Sequence, residues 1–392
     1  HAARRERSTD APPRKMILTN CAACAAPLAH DAPRCVRCHT RYCNKTCQMD
    51  HWRRGHKQIC KKIHRGGNAE QYHADKKYKE AVAEAVEACA ADTKGQTCYI
   101  CTQALHWKTK EGLVRGCSCR GTAGFAHVSC LAEQAKILLA RAAEGQEGQG
   151  RGFRRWDTCS LCEQRYHGVV SCALGWACWK TYVGRPERDQ LRRPAMGVLG
   201  NGLAEAEHHE DALSVEEAKL AMERRVGASA YSILGAQSNL ATTYDKLGQH
   251  DQALRMRLGV YSERLKLSGE EHRETLLAAN NCAFSLGVLE RFEEAKSLMR
   301  KMMPVARRVL GESHELTLMM RLNYARSIYK DCGATLDDLR EAVTTLEDTE
   351  RIARRVLGGA NPGTVGIEDG LQKARAVLRA REAGQKVVFV RE

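Results

Sequence analysis

The sequence predicts a mainly α protein in which two small metal-stabilised fingers precede an α-solenoid, and three observations lead to this prediction. Cys and His residues form closely spaced pairs within residues 21–60 and again within residues 98–162. A 42-residue repeat then runs through the C-terminal half of the chain. The chain has only eight Pro and 5% aromatic residues, with 43% hydrophobic residues. This composition favours helix-rich domains.

The composition also indicates the redox state of the cellular compartment and the class of binding partner. Of the 19 Cys, fourteen fall into pairs with metal-ligand spacing, which indicates a reducing compartment rather than a disulfide scaffold. The formal net charge is +15. It would fall to about +9 with four Zn²⁺ ions, because bound thiols are deprotonated. Lys and Arg are spread along the chain among acids, so a solvated helical surface explains them better than nucleic-acid binding.

No secretory signal or long apolar segment is visible in the 392 residues. The longest uncharged stretch, Gly168 to Trp179, has about twelve residues where a membrane span needs about twenty. We therefore expect a soluble cytoplasmic or nuclear protein with no membrane partner. Residues 1–20 are charged, contain Pro and lack periodicity, which predicts a disordered tail.

The first predicted finger occupies residues 21–60. In its last two ligand pairs the residues are four apart, which places both ligands on one face of a helical turn. The four pairs are Cys21-x2-Cys24, Cys35-x2-Cys38, Cys43-x3-Cys47 and His56-x3-Cys60. With the run Arg41 to Gln48 and with Trp52, these pairs resemble a MYND finger.

The MYND resemblance implies two interleaved zinc sites and a non-catalytic role in binding short Pro- and Leu-containing peptides. One site would consist of Cys21, Cys24, Cys43 and Cys47, and the other of Cys35, Cys38, His56 and Cys60. His51 also follows Cys47 by four residues and is an alternative ligand, but the family pattern favours His56. Residues 61–97 are predicted to be a helical connector, because Tyr72, Tyr78, Val82 and Val86 recur at helical spacing.

The second predicted finger occupies residues 98–182 together with a packed C-terminal helix. Its pairs are Cys98-x2-Cys101, Cys117-x-Cys119, His127-x2-Cys130 and Cys159-x2-Cys162. Eight such ligands suffice for two tetrahedral zinc ions. Their order and spacing resemble the RING-CH (RING variant) finger of ubiquitin ligases. A PHD finger has the same ligand order, but it usually has a wider second pair and a shorter gap before its histidine.

The RING-CH resemblance implies a cross-brace, with Cys98, Cys101, His127 and Cys130 on one zinc and Cys117, Cys119, Cys159 and Cys162 on the other. A ubiquitin-conjugating enzyme would then contact Ile100, Leu131 and Leu161. Two residues depart from the active pattern, since Gln134 stands where many such fingers have Trp, and Glu163 stands where active ligases often have a cation. Residues 144–152 are predicted to be an exposed loop, and the aromatic segment 166–182 is predicted to pack on the finger.

After a predicted linker at residues 183–207, residues 208–385 are predicted to form a repeat array. Asn239, Asn281 and Asn323 recur at intervals of 42. Gly269-Glu-Glu-His272 and Gly311-Glu-Ser-His314 do so as well. The repeat is similar to the tetratricopeptide repeats of kinesin light chain, with a capping helix at Glu368 to Glu382. The three Asn side chains are candidates for holding a peptide in the concave groove, or else for contacts between helices.

The sequence offers no nucleophile, paired carboxylates, phosphate loop or open metal site. If the protein is an enzyme, it acts by positioning other molecules. Three hypotheses follow: a RING-type ubiquitin ligase that recruits protein substrates through the repeats and the MYND finger, a non-catalytic adaptor that binds peptides, and a PHD-like chromatin reader.

Overall fold

The computed structural model describes residues 21–144, except 25, 27 and 29–31, and residues 153–385. The tail expected at residues 1–20 and residues 145–152 of the expected loop lie outside the described residues. The mainly α fold class is confirmed. The helices are α1 Lys45–His51, α2 Lys57–Arg65, α3 Ala69–Ala88, α4 Ala90–Thr93, α5 Val128–Glu144, α6 Gly168–Tyr182, α7 Arg192–Glu205, α8 His209–Arg225, α9 Ala230–Lys246, α10 His250–Ser268, α11 Arg273–Val288, α12 Phe292–Leu310, α13 Glu315–Tyr329, α14 Leu336–Val356 and α15 Pro362–Glu382.

The chain divides into two compact units. Of the described residues, the first unit contains those within 21–116, 122–160 and 166–228. The second contains the short segments 117–121 and 161–165 together with residues 229–385. The predicted array began at residue 208, but α8 belongs to the first unit.

Helix α6 is the central helix of the first unit. Eleven of its fifteen residues are buried, including Trp176 and Trp179. A helix that is apolar on all sides must be covered on all sides, and α3, α5 and α7 pack around it. Cys172 and Cys178 are buried in this packing. None of the described helices combines the length and apolar character that crossing a membrane requires.

Helix α7 occupies the stretch that was predicted to be a linker. Its packing depends on small residues, because Gly175 of α6 and Gly202 of α7 let the two backbones approach closely. A Cβ at Gly175 would lie 3.1 Å from the Cα of Leu199, and one at Gly202 would lie 2.6 Å from the carbonyl oxygen of Ser171. Side chains larger than hydrogen at these two positions would separate the helices.

The repeats stack as helix pairs in the second unit. The first helix of each pair begins at a capping residue that accepts a backbone N–H: His272 for α11, His314 for α13 and Asn361 for α15. Gly269, Gly311 and Gly358 precede these caps with φ of 75°, 90° and 86°. The repeated Gly-x-x-His element therefore ends one helix and begins the next.

The third copy of the repeat is five residues longer, and the structure shows where the extra residues lie. Helix α14 has 21 residues, two more than α12, its counterpart in the previous copy. The loop between α13 and α14 has six residues, three more than the loop between α11 and α12. The longer loop ends at Thr335, which begins α14 through a reciprocal capping box with Asp338. The insertion is thus absorbed without disturbing the stack.

Candidate metal centres and interaction surfaces

Four groups of thiol and imidazole side chains each bring four ligand atoms within 4.8 Å of one another. The first group contains Cys21, Cys24, Cys43 and Cys47. The side chain of Asn44 caps α1 by accepting the N–H of Cys47 at 2.9 Å, which fixes the helical turn that carries Cys43 and Cys47. The sulfur atoms of Cys24 and Cys43 are 3.4 Å apart.

The electrostatics of this first group favour a divalent cation. Burial opposes ionisation of Cys21, but backbone N–H groups of Cys24, Ala23 and Cys43 outweigh it and lower its pKa to about 7. For Cys43, burial and then the neighbouring sulfur atoms of Cys24 and Cys21 raise the pKa to about 12. Four adjacent thiols cannot all ionise without a compensating charge, and Zn²⁺ bound by thiolates supplies that charge.

The second group contains Cys35, Cys38, His56 and Cys60, all buried. Nε2 of His56 lies 3.3 Å from the sulfur of Cys38. The widened helical turn Trp52–His56 brings the imidazole into place, and Gly55 adopts a φ of 125° within it. Burial first, and then His51 and His73, lower the pKa of His56 to about 4, so its imidazole is neutral and able to ligate zinc.

His51, the alternative ligand, lies outside this group. Its ring stacks on that of His56 with centroids 4.9 Å apart. Its Nδ1 is 3.1 Å from the hydroxyl of Tyr42. His51 therefore supports the ligand His56 instead of replacing it.

The third group contains Cys98, Cys101, His127 and Cys130. Nδ1 of His127 lies 3.4 Å from the sulfur of Cys101 and 3.6 Å from that of Cys130. Its Nε2 lies 3.3 Å from the carbonyl oxygen of Ala104. Donation of the Nε2 proton to this oxygen leaves the Nδ1 lone pair directed at the thiols, as a zinc ligand requires.

The fourth group contains Cys117, Cys119, Cys159 and Cys162. In the second finger the first and third ligand pairs thus come together, as do the second and fourth, which is cross-brace connectivity. Each of the four groups supplies four protein ligands, which is typical of structural zinc rather than catalytic zinc. The four groups together fit four zinc ions.

The three residues proposed to contact a conjugating enzyme differ in accessibility. Leu161 is 50% exposed, and Ile100 is half-buried. Leu131 is only 5% exposed, because it belongs to the buried face of α5. Leu131 therefore serves the core of the finger, whereas Ile100 and Leu161 each retain solvent access.

Gln134 on α5 connects the two ligand loops. Its Oε1 accepts hydrogen bonds from the hydroxyl of Tyr99 at 3.2 Å and from that of Ser160 at 3.1 Å. Tyr99 lies between the ligands Cys98 and Cys101, and Ser160 lies between Cys159 and Cys162. The amide at this position thus ties the two loops together through polar contacts. In the sequence, Gln134 is visible only as a departure from the family pattern.

The repeated asparagines make contacts between neighbouring repeats. Asn323 is 7% exposed, and its Nδ2 donates to Oδ1 of Asn280 at 2.9 Å. Asn281 occupies the equivalent position one repeat earlier, and its Nδ2 lies 3.5 Å from the hydroxyl of Ser238. Asn323 is therefore committed to packing between helices, whereas Asn239 and Asn281 are half-buried.

A buried charged cluster in the repeats had no sequence signal. Arg257 forms an ion pair with Asp245, and its Nη1 donates to the hydroxyl of Ser285 at 2.6 Å. Asp245 also lies 3.1 Å from Nδ1 of His250. The cluster links α9, α10 and α11 across successive repeats.

The first finger carries an open groove of about 580 Å³ beside its second ligand group. Val36 is 93% exposed and Trp52 is 41% exposed, so the groove offers uncovered apolar surface. The lining residues are Cys35, Val36, Arg37, His39, Gln48, Trp52, Cys60 and His64. Because two zinc ligands line it, the groove has this shape only when the finger is folded.

Comparisons with known proteins assign two of the three modules. Residues 21–60 match the family model of the MYND finger, and residues 275–315 match that of a tetratricopeptide repeat. The chain contains a MYND finger and tetratricopeptide repeats. These modules are protein-interaction modules, and the two matches leave residues 98–162 without a family assignment. A search of curated protein sequences finds no match to this chain.

Among solved structures, the chain is similar to a protein from Podosopora anserina, named for kinesin light chain, with nearly identical TPR-like repeats. The identity is 20%, the TM-score is 0.40, and the match covers 49% of this chain and 89% of that one. It is also similar to BtubC (BKLC) from P. vanneervenii, with 16% identity, a TM-score of 0.35, and coverage of 68% of this chain and 96% of that one.

Proposed function

We propose that the protein is an adaptor that binds linear segments of other proteins, with the groove of the MYND finger as its primary site. The observation that carries this proposal is the exposed apolar pair Val36 and Trp52 beside buried zinc ligands. Exposed apolar side chains on a rigid scaffold are what a short apolar peptide can cover. The MYND resemblance adds that the peptide contains Pro and Leu.

Binding of a labelled synthetic peptide with a leucine between two prolines tests the groove. Val36→Ser should weaken binding by the full-length protein about tenfold, because covering a Val side chain contributes about 1.5 kcal/mol or more. Ile59→Ser is the matched control, since Ile59 is 43% exposed and lies outside the groove lining. An unchanged Kd for Val36→Ser would reject the groove as the site.

The repeat array is the proposed second peptide site. Asn239 and Asn281 remain half-buried and can reach an extended backbone, whereas Asn323 is buried. Replacing Asn239 and Asn281 together with Ala should reduce capture of bound proteins from a lysate while leaving the melting temperature within a few degrees. A large loss of stability with unchanged capture would favour a purely structural role for these two residues.

A second candidate function is ubiquitin transfer by the second finger, acting as a RING-CH-type ubiquitin ligase. The cross-brace arrangement of the ligand pairs favours it, as does the accessibility of Leu161 and Ile100. In this role the finger would hold a ubiquitin-conjugating enzyme, and the peptide sites would bring protein substrates to it. Two residues would affect how well the finger activates the conjugating enzyme. Gln134 stands where active fingers carry Trp, and Glu163 stands where they carry a cation.

Self-ubiquitination assayed with a panel of conjugating enzymes tests this second candidate. Ile100→Ala should abolish most transfer while zinc content stays the same, because it removes an apolar contact and no ligand. Glu163→Arg should raise transfer by supplying a cation. If no conjugating enzyme supports transfer and Glu163→Arg does not rescue it, the protein acts as an adaptor alone.

A further inference from the structure

The first finger is far more basic than the chain as a whole. Residues 21–65 contain ten Lys and Arg, and Asp31 and Asp50 are the two acids among them. With two Zn²⁺ bound, the seven cysteine thiolates of the finger add about three net negative charges. That correction reduces the positive charge of this segment without reversing it.

Most of these cations point to solvent without a carboxylate partner. Arg41 pairs with Glu70, and Arg54 pairs with Asp50. The others that matter here are exposed and form no ion pair with any carboxylate in the described part of the chain: Arg37, Arg53, Lys57, Lys61 and Lys62. A surface with unpaired charges of one sign produces a field that attracts a ligand of the opposite sign.

One of the unpaired cations lines the groove, and two others lie on α2 in line with a lining residue. Arg37 and His64 are part of its lining. Lys57 and Lys61 precede His64 by seven and three residues on α2, so the three side chains form one stripe along the helix. The apolar floor at Val36 and Trp52 is therefore bordered by positive charge on the side of α2 and at Arg37.

We propose that this groove selects peptides in which an apolar anchor is flanked by carboxylate side chains. The inference rests on the proposed peptide binding by the MYND finger and adds the charge of the partner. The apolar side chain covers Val36, while the flanking Asp or Glu residues meet Arg37 and the α2 stripe. A peptide fits better than a nucleic acid because Val36, at 93% exposure, offers apolar surface that a phosphate backbone cannot use.

Three labelled peptides test the proposal with the zinc-loaded full chain. They share a core with a leucine between two prolines and carry flanks of Glu, of Ser or of Lys. The Glu-flanked peptide should bind at least about tenfold tighter than the Lys-flanked one, because several exposed ion pairs add up. The difference should shrink between about 50 and about 300 mM NaCl, since salt screens exposed charges.

Charge reversal then locates the effect. Arg37→Glu should remove most of the preference for Glu flanks, measured as the ratio of the Kd of the Lys-flanked peptide to that of the Glu-flanked peptide, so that a uniform loss of binding is not read as a loss of charge selection. Arg255→Glu is the matched control, because Arg255 is an exposed arginine on α10 of the repeats.

The outcomes separate this inference from the function on which it rests. Equal binding of all three peptides would overturn the charge selection and leave peptide binding intact, whereas binding of none would count against both. Competition with a single-stranded oligonucleotide tests for a general polyanion surface. If the oligonucleotide displaces the Glu-flanked peptide equally well from the unmodified protein and from the Val36→Ser variant, the surface binds any polyanion and the proposal is overturned.

Discussion

Replacing Asn323 with Ala tests whether the repeated asparagines hold the repeats together. The amide of Asn323 is buried and donates to Asn280 at 2.9 Å across neighbouring repeats. The substitution leaves Oδ1 of Asn280 without this donor, and a buried polar group that loses its partner costs about 1 to 3 kcal/mol. A cost of about 2 kcal/mol corresponds to a decrease in melting temperature of about 4 to 8 °C for a unit of this size.

Circular dichroism of the full chain during thermal and urea unfolding measures the effect. Asn281→Ala is the matched control: its contact with Ser238 is 3.5 Å long and half-buried, so its loss should cost less than about 1 kcal/mol. The double variant Asn280→Ala with Asn323→Ala should recover part of the loss, because no unpaired amide remains. Unchanged stability of Asn323→Ala together with lost peptide capture would refute the reasoning and return this residue to the groove.

Two further predictions concern the fingers. A strong chelator should unfold the fingers and leave the repeats helical, because only the fingers take folding energy from metal. All five Trp lie between residues 52 and 179, so their fluorescence should change while most of the helical signal persists; simultaneous loss of both signals would contradict this prediction. Gly55→Ala should weaken zinc retention by the first finger, because a φ of 125° costs a non-Gly residue about 1 to 3 kcal/mol. The cost comes from the backbone conformation alone, since no atom lies within 4 Å of the added Cβ. Gly259→Ala, in open space on α10, should be neutral or stabilising, and equal zinc loss from both variants would refute the argument.

The sequence predicted the features that depend on local spacing. Zinc ligands must lie within a few residues of one another, so the pair Cys35 and Cys38 is visible without a structure. The 42-residue period likewise follows from copies of one helix pair. His272 and His314, 42 residues apart, each cap the first helix of such a pair.

Features that depend on contacts between distant segments were not predictable in this way. The mixed charge of residues 183–207 predicts a linker, but helix α7 forms there. Its contact with α6 depends on Gly175 and Gly202, which add no apolar period to the sequence. The burial of Leu131 and the bridging role of Gln134 depend on which face of α5 meets the rest of the finger. Unpaired cations around the groove became apparent only when their distances to carboxylates were known.

The zinc content of the intact chain tests the central claim most directly, because both fingers and every proposed site on them require closed metal centres. Native mass spectrometry of protein purified without chelator should give close to four zinc ions per chain, one for each of the four ligand groups. A value of about two would contradict the account, since it would mean that one of the two fingers does not bind metal.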